Sequence, residues 1–217
     1  VGTLLLAALL YGALRIEHYT PLLKKGPPIA VIQGNILQKL GRTSDEMVAQ
    51  LYGHLEMHRQ IVAEARTSGE SPVLICWAET MVPGSMNSDE WGKLFKAQVA
   101  IGGILTLAGS NFTLTDPLTQ VVRDYNAAYL LDENGAEISH YFKRKLVPFG
   151  EYIPYREQFP FLGVLASITR DQYIPGSAPS PVETIPRRGG SHPFTAAINI
   201  LSLIHISEPT RLRRISY

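Results

Sequence analysis

The sequence predicts a layered α/β domain that follows the end of an apolar helix. Short, nearly continuous apolar runs alternate with segments in which apolar residues recur every three or four positions. These patterns are typical of buried strands and amphipathic helices, and their alternation predicts a sheet with helices packed on it. A turn sequence between two later runs adds a hairpin. With 217 residues, the chain is long enough for one such domain with a sizeable core.

The first segment is an apolar helix. Residues 1–14 carry no charge, but a run of this length is too short to cross a bilayer, which requires about 20 residues. We therefore interpret residues 1–20 as the C-terminal part of a longer transmembrane helix, followed by a proline-rich linker over residues 21–28. A buried core helix is the alternative, and the lack of a basic start and of a small-residue cleavage site argues against a signal peptide. Lys24 and Lys25 slightly favour a cytoplasmic flank.

The first strand and helix of the domain follow the linker. Residues 29–33 (IAVIQ) form a nearly continuous apolar run, as in a strand buried on both faces. Ser44 is a suitable N-cap for a helix that ends at Gly69. Residues 72–77 (PVLICW) predict a second buried strand. One stripe of the helix keeps three- and four-residue spacing and is predicted to face the core: Val48, Leu51, Leu55, Val62 and Ala65.

The remaining elements complete the sheet. A helix capped by Ser88 is predicted over residues 89–99, and a third strand over residues 104–108. Residues 125–131 and 136–142 are predicted to pair as a hairpin across the turn sequence DENG. Residues 147–154 are predicted to form a loop rich in Pro, Gly and aromatic residues. A long irregular segment is predicted over residues 173–193, and a final strand over residues 194–200.

Composition argues against several function classes. The formal net charge is +1 and no basic block is present, so the chain lacks the electrostatic footprint of a nucleic-acid-binding protein. Cys76 is the single cysteine, which excludes an internal disulfide framework. The histidines show no metal-ligand spacing, and we expect neither a metal nor another cofactor.

Three charged residues are candidates for chemistry. Glu79 follows the predicted strand LICW, and α/β proteins tend to place their sites at such strand ends. Lys143 ends the second hairpin strand, and Glu151 follows in the loop rich in Pro and Gly. A carboxylate and a lysine held together can act as a base and stabilise a developing oxyanion. From spacing alone, however, a glutamate at a strand end is more often a cap or an ion pair, and a Lys-Arg-Lys cluster is usually a solvated edge.

Three longer motifs surround these candidates. The chain has QGNI at residues 33–36, WAET at residues 77–80 and YFKRKLVPFGEY at residues 141–152. They resemble the Q-G-N/D-I, W-P-E-T and Y-x-K-x-x-L-V-P-F-G-E-Y segments of the apolipoprotein N-acyltransferases, membrane-bound members of the nitrilase superfamily. The last block is the longest and most specific, and the upstream apolar helix with its short linker also fits. The resemblance covers about residues 1–200.

The resemblance implies a nitrilase-like α-β-β-α sandwich, here incomplete, and a role for each candidate residue. Glu79 resembles the family's general base, Lys143 its oxyanion-stabilising lysine, and Glu151 the second glutamate that supports the site. Lys143 is preferred to Lys145 because it directly follows the Tyr-Phe pair. The dipeptide at residues 125–126 matches a Y-N of the family, which we interpret as structural. We expect the three charged residues to share one cleft.

The chain departs from the family pattern at three places. Ala78 stands where proline is usual, and Gly-Arg at residues 41–42 stands where Lys-Trp is frequent, which puts the substrate contacts of that loop in doubt. The family carries its nucleophilic cysteine in an I-C-Y-E segment at the end of the final strand. Asn199 occupies that position in the closest alignment, whereas a two-residue slip, which we favour, moves it to Leu201. Cys76 lies within a predicted strand and is not a substitute.

The family mechanism implied by the resemblance is two-step acyl transfer. A cysteine attacks the ester of a membrane phospholipid, a lysophospholipid leaves, and the α-amino group of a diacylglyceryl-cysteine at the N-terminus of an apolipoprotein takes the acyl chain. The implied partners are a phospholipid donor, an apolipoprotein acceptor and the membrane, without nucleic acid. The domain, residues 29–200, is expected on the periplasmic side of a bacterial inner membrane.

The last segment is predicted to be foreign to the domain. Residues 201–217 begin LSLIHISEPTR, which resembles the translation of a transposase-type sequencing adapter, and Pro209 interrupts the segment. We expect an exposed segment beyond Pro209, and no tail residue, His205 and Ser207 included, near Glu79. A divergent native tail is the alternative. Because no cysteine stands at the nucleophile position, this chain is predicted to be inactive.

Two other functions remain open. The first is a soluble-type amidase of the same superfamily carrying an unrelated anchor, and further upstream transmembrane segments would favour the acyltransferase instead. The second is a non-catalytic binding domain in which Asn199 is genuine and the catalytic triad has decayed. Rereading the source DNA across codons 195–217 separates decay from an artificial junction.

Overall fold

The computed structural model describes residues 2–22, 26–36, 43–156, 158–159, 173–178, 182–185 and 194–197. The predicted mixed α/β architecture is confirmed. In chain order, its elements are α1 (Gly2–Tyr19), a short 3-10 helix (Thr20–Leu22), β1 (Ile29–Ile32), α2 (Ser44–Ser68), β2 (Leu74–Trp77), α3 (Glu90–Gly102), β3 (Thr106–Thr115), β4 (Val122–Leu131), β5 (Glu137–Phe142), β6 (Val182–Ile185) and β7 (Phe194–Ala197).

Five strands form one mixed sheet in the order β1-β2-β3-β4-β5. The pairs β1–β2 and β2–β3 are parallel, because α2 and α3 carry the chain back between successive strands. The pairs β3–β4 and β4–β5 are antiparallel. The register places Ala127 opposite Phe142, so that the end of β5 lies beside the middle of β4. β6 and β7 form a separate two-stranded antiparallel sheet.

The main core lies between the sheet and the two helices α2 and α3. Leu51 and Leu55 of α2 and Phe95 of α3 are buried in one cluster with Ile75 and Trp77 of β2. Side chains alternate between the two faces of a strand, so the neighbouring residues of β2 point the other way. That second face carries a smaller cluster of buried residues: Leu74, Leu105, Ala128, Leu130 and Tyr141.

Both predicted N-caps are wrong by one residue. Thr43, not Ser44, caps α2, since its side chain accepts a hydrogen bond from Glu46 N and the Glu46 side chain accepts one from Thr43 N. This reciprocal pair is a capping box. Asp89, not Ser88, is the N-cap position of α3. In each case two adjacent residues are good caps, and the pattern of apolar residues does not distinguish them.

The predicted third strand is too short. It was expected to end at residue 108, but β3 continues to Thr115, because all ten of its residues pair with β4. Polar and small residues from Gly109 to Thr113 concealed this hairpin. The predicted irregular excursion over residues 173–193 contains β6, and β7 covers the first four residues of the strand predicted over residues 194–200.

Two histidines share the buried stripe of α2. His54 and His58 pack against Trp77, with ring centroids 5.5 Å and 6.0 Å from that indole ring. Trp77 Nε1 donates a hydrogen bond to His58 Nδ1 at 3.2 Å. Burial, and to a smaller extent the charge of Arg59, lowers the pKa of His58 to about 4. His58 is therefore neutral at physiological pH.

The apolar helix α1 has no buried residue. Its leucines are largely exposed, as are Tyr11 and Ile16. Across the described part of the chain, no helix reaches the combination of length and apolarity that a membrane crossing requires.

Candidate active site

Lys143 occupies the centre of the candidate site. It directly follows β5, and its N–H donates to Asn126 O at 2.8 Å, which extends the β4–β5 ladder by one residue. The side chain is only 3% exposed. Its Nζ donates hydrogen bonds to Glu79 Oε1 at 3.1 Å and to Glu151 Oε1 at 2.8 Å. The structure thus brings the three predicted residues together around one buried ammonium group.

The two glutamates have different surroundings. The Glu151 side chain is 14% exposed, and both its oxygens are engaged, because Oε2 also accepts a hydrogen bond from Val147 N at 2.8 Å. The Glu79 side chain is 42% exposed. No described residue hydrogen-bonds Glu79 Oε2. Glu151 is therefore built into the site, whereas Glu79 faces outward from it.

Asn126 is the site residue that sequence reasoning missed. Its Nδ2 donates to Glu79 Oε1 at 2.7 Å and to Glu151 Oε1 at 3.2 Å, and its side chain is buried. The amide thus binds the same two carboxylate oxygens as Lys143. The available signal was a polar residue opening the apolar run NAAYLL, next to the tyrosine of the Y-N match. From the sequence alone, that match is interpreted as structural.

Burial by itself lowers the pKa of the Lys143 ammonium. The hydrogen bond to Glu151 and the negative charge of Glu79 outweigh this effect, so that the pKa is raised above its ordinary value of 10.5. Lys143 is consequently a cation at neutral pH. It can therefore act as an electrostatic donor to an oxyanion.

The loop that carries Glu79 is held close to β3. Gly109 O accepts hydrogen bonds from Met81 N at 3.1 Å and from Val82 N at 3.3 Å. Thr80 has a φ of +54°, a left-handed conformation that is strained for a β-branched residue. Because Gly109 has no side chain, the loop can approach the strand at this point. The backbone geometry, and not only the side-chain contacts, sets the position of Glu79.

Replacing Gly109 with alanine is expected to destabilise the domain by about 1–3 kcal/mol, because overpacking forces the backbone to shift. A methyl group on Gly109 would lie 2.6 Å from Thr80 N and 2.8 Å from Glu79 Cα. Urea unfolding is the measurement. Gly53→Ala in α2 is the matched control, because nothing lies within 4 Å of its added methyl group. The explanation is wrong if both variants unfold at the same urea concentration.

A short segment over residues 173–176 ties the site together. Tyr173 N donates to Glu151 O at 3.0 Å, and Gly176 N donates to Lys143 O at 2.9 Å. Between them, Ile174 N donates to Asp124 O at 2.9 Å on β4. Sequence reasoning assigned this segment to an irregular excursion. In the structure it fixes the backbone of two of the three candidate residues.

Other predicted residues lie elsewhere. Lys145 is exposed, which favours the choice of Lys143. Cys76 packs against the smaller cluster, and burial raises the pKa of its thiol to about 11, so it is a poor nucleophile. Asn199 and Leu201, the two predicted nucleophile positions, and the tail over residues 201–217 lie outside the described residues. Among the described residues, no group of three or more His, Cys, Asp or Glu could hold a metal ion.

The arrangement offers a base beside an electrostatic donor. Glu79 presents a carboxylate oxygen that no described residue hydrogen-bonds, Lys143 presents a buried ammonium, and Asn126 and Glu151 hold both in place. Such a constellation suits reactions in which a nucleophile loses a proton while a carbonyl oxygen gains negative charge. Acyl transfer and amide hydrolysis both fit this description.

Solved amidases match part of the chain. A variant of a Nesterenkonia amidase from the nitrilase superfamily matches 72% of this chain and 51% of its own, with 17% sequence identity and a TM-score of 0.44. An amidase from Nesterenkonia sp. matches 75% of this chain and 54% of its own, with 18% identity and a TM-score of 0.44. No family model matches the chain.

The curated relatives are apolipoprotein N-acyltransferases. The Bradyrhizobium diazoefficiens protein is 24% identical over 161 residues, which are 74% of this chain and 30% of the relative. The Rhizobium etli protein is 31% identical over 141 residues, which are 64% of this chain and 26% of the relative. The Rhizobium meliloti protein is 27% identical over 190 residues, which are 85% of this chain and 35% of the relative. The resemblance predicted from the motifs is confirmed, and the chain spans about a third of these relatives' length or less.

Proposed function

We propose that this chain is part of an N-acyltransferase. The enzyme moves an acyl chain from a membrane phospholipid to the N-terminal diacylglyceryl-cysteine of apolipoproteins, in lipoprotein maturation. The single observation that carries the proposal is the buried Lys143 ammonium held between Glu79 and Glu151. The similarity to curated apolipoprotein N-acyltransferases supports the choice of substrates.

The proposed reaction has two steps. A cysteine thiol loses its proton to Glu79, and its sulfur attacks the acyl carbonyl of the phospholipid. Lys143 stabilises the tetrahedral oxyanion, which collapses to a thioester as the lysophospholipid alcohol leaves with the proton from Glu79. The amino group of the apolipoprotein then attacks the thioester and forms an amide. The thiol is regenerated at the end of this second step.

Each role agrees with the surroundings of its residue. The free Oε2 of Glu79 suits a general base, since a base needs an oxygen that can reach the thiol. Glu151 has both oxygens engaged and suits a positioning role for Lys143. Asn126 positions the same two carboxylates.

The domain boundaries and the location belong to the same proposal. Residues 1–20 form the end of a transmembrane helix, residues 21–28 a linker and residues 29–200 the catalytic domain. The domain lies on the periplasmic side of a bacterial inner membrane. The apolar, unburied surface of α1 supports an anchor, because both substrates are lipids.

We further propose that residues 201–217 are adapter-derived and that the native chain has its cysteine near Leu201. The chain as it stands is then inactive, because Glu79 and Lys143 have no thiol to act on. A genomic read that continues through LSLIHISEPTR into coding sequence would overturn this part and favour a binding domain with a decayed triad.

A cysteine-restored chain tests the function. Leu201→Cys in the full chain, incubated with a fluorescent phospholipid in detergent micelles, is expected to acquire a hydroxylamine-sensitive acyl label, whereas the unaltered chain and Asn199→Cys are not. Adding Glu79→Gln is expected to lower the labelling rate at least about 100-fold, in the range of lost general-base catalysis. Intact mass measurements follow the label.

The outcomes separate the alternatives. Labelling of the unaltered chain contradicts the inactivity of this sequence. If neither cysteine variant is labelled by phospholipid but one hydrolyses a short aliphatic amide, the amidase is the better assignment. Labelling of Leu201→Cys that does not depend on Glu79 shows a non-enzymatic reaction and contradicts the role proposed for this glutamate.

A further inference from the structure

Hydrogen bonds hold the Asn126 side chain at one end only. Its Nδ2 donates to the two carboxylates, but its Oδ1 is buried and has no hydrogen-bond partner among the described residues. Hydrogen bonding therefore fixes the amide on one side, and packing must fix it on the other. Because Asn126 and Lys143 donate to the same oxygen of Glu79, a group that packs on Asn126 helps to set the geometry of the whole site.

Tyr173 lies on the same face of the sheet as Asn126. Beyond the end of β5, Tyr173 takes up the place beside β4, where it pairs with Asp124, and Ile174 N donates to Asp124 O at 2.9 Å. Paired residues of neighbouring strands point to one face, and so do residues two positions apart on a strand. Asp124 and Asn126 are two positions apart on β4, so the Tyr173 side chain lies on the face that carries the site.

The ring of Tyr173 crosses β4 next to Asn126. Its hydroxyl donates a hydrogen bond to Asn111 Oδ1 at 2.9 Å, and Asn111 lies directly opposite Asn126 in the register of β3 and β4. Opposite side chains of an antiparallel pair have Cβ atoms about 5 Å apart. A ring that starts beside Asp124 and ends at Asn111 therefore passes over β4 alongside the Asn126 side chain.

Tyr173 is anchored at both ends. Its backbone N–H donates to Glu151 O at 3.0 Å, and its hydroxyl is bonded to Asn111. We propose that Tyr173 is a positioning residue of the candidate site, which holds the Asn126 amide in place against Glu79. The inference rests on the proposed function, because it gives Tyr173 a part in orienting the base of that reaction. Tyr173 acts through Asn126 and Glu151.

Chemical labelling of Lys143 tests the inference without catalysis. The full chain receives a short pulse of an amine-acetylating reagent at pH 8, and mass spectrometry measures the labelling of Lys143 relative to Lys93, an exposed lysine of α3. Tyr173→Phe keeps the ring but removes the hydroxyl. It is expected to raise the relative labelling of Lys143 about three- to tenfold, because the loss of one hydrogen bond shifts the opening equilibrium of the site by that factor.

Tyr129→Phe is the matched control. The Tyr129 hydroxyl also donates to Asn111, to its backbone O at 3.0 Å, but Tyr129 belongs to the core between the sheet and the helices. Tyr129→Phe is expected to lower stability to urea and to leave the relative labelling of Lys143 within about twofold of wild type. An unchanged ratio in Tyr173→Phe overturns the inference. An equal rise in Tyr129→Phe also overturns it, because general loosening of the domain then explains both.

A second variant tests the bond itself. Asn111→Leu removes the acceptor of the Tyr173 hydroxyl and is expected to raise the labelling of Lys143 as Tyr173→Phe does. Combining the two changes is expected to raise it no further, since both break the same hydrogen bond. Fully additive effects would show that the two side chains act independently, and would overturn the role of this bond.

The inference and the proposed function can fail separately. In the Leu201→Cys chain, Tyr173→Phe is expected to lower the acylation rate at saturating phospholipid and to leave the half-saturating concentration unchanged, because Tyr173 orients the base. If Tyr173→Phe exposes Lys143 while the Leu201→Cys chain is never acylated, the proposed function fails and the positioning role stands. If that chain is acylated, but neither its rate nor the labelling of Lys143 responds to Tyr173→Phe, the proposed function stands and the inference fails.

Discussion

Replacing Lys143 with methionine is expected to lower the free energy of unfolding by about 3 kcal/mol, the lower end of the range for breaking a buried ion pair. Without the ammonium, Glu79 Oε1 and Glu151 Oε1 face each other around an empty position, with only Asn126 to compensate them. The lower end applies because water screens the 42% exposed side chain of Glu79. Urea unfolding at pH 7, followed by tryptophan fluorescence, is the measurement.

Two variants make this test specific. Lys145→Met removes an exposed lysine two positions away and is expected to change stability by less than about 0.5 kcal/mol. Adding Glu151→Gln to Lys143→Met removes one of the two facing charges and is expected to recover part of the loss. If Lys143→Met is no less stable than Lys145→Met, the central ion pair does not contribute to the fold.

The loss of stability at alkaline pH gives a second test of the role of Lys143. The pKa of Lys143 in the folded state is raised above 10.5. Its charged contacts therefore contribute fully to the stability of the fold at any pH below the pKa of lysine in the unfolded chain. The contribution is then lost as the pH rises through the raised folded-state pKa. The wild-type chain is expected to lose stability more steeply than Lys143→Met above pH 10.5. If the stability of the two chains falls equally steeply with pH, a group other than Lys143 causes the alkaline loss.

The candidate site was largely predictable because its charged residues stand at the ends of elements. Glu79 follows β2 and Lys143 follows β5, and both strands were visible as apolar or alternating runs. The turn sequence DENG predicted that β4 and β5 pair, but not which residues lie opposite each other. The β4–β5 register sets Asn126 beside Lys143. Asn126 was therefore missed as a site residue although its motif was noticed.

The apolar residues that α2 buries were predicted, but the two histidines buried among them were not. The stripe of Leu51, Leu55 and Val62 was correct, but the spacing rule counted only apolar residues. His54 and His58 occupy the same stripe and are buried there, because Gln50 O and Trp77 Nε1 satisfy one ring nitrogen of each. A buried histidine needs a specific partner, and for His58 that partner is Trp77 of β2, which the pattern of the helix does not contain.

Acidification is expected to weaken the fold through His58. Its folded-state pKa is about 4, against an ordinary value of 6.5, because burial disfavours the charged ring. The unfolded chain therefore binds more protons between these two values, and the stability supplied by the neutral ring is lost as the pH falls from about 6.5 toward 4. At about 1.4 kcal/mol per unit, the loss approaches about 3 kcal/mol.

His58→Gln isolates this contribution. Glutamine does not titrate, and its side-chain oxygen can still accept the hydrogen bond from Trp77 Nε1. Urea unfolding at half-unit steps from pH 4 to pH 7 is expected to show a shallower acid slope in His58→Gln than in the wild-type chain. His18→Gln, which removes an exposed imidazole from α1, is the control and is expected to keep the wild-type slope.

The acid effect is expected to reach the candidate site. Protonated His58 cannot accept from Trp77 Nε1, and its second nitrogen, Nε2, is buried without a hydrogen-bond partner in the described structure. Trp77 ends β2 two residues before Glu79, so a displaced indole ring moves the strand that carries the proposed base. Quenching of tryptophan fluorescence by acrylamide is thus expected to rise below pH 5 in the wild-type chain before global unfolding. An acid profile identical in wild type and His58→Gln would mean that other groups, and not this histidine, set the acid limit.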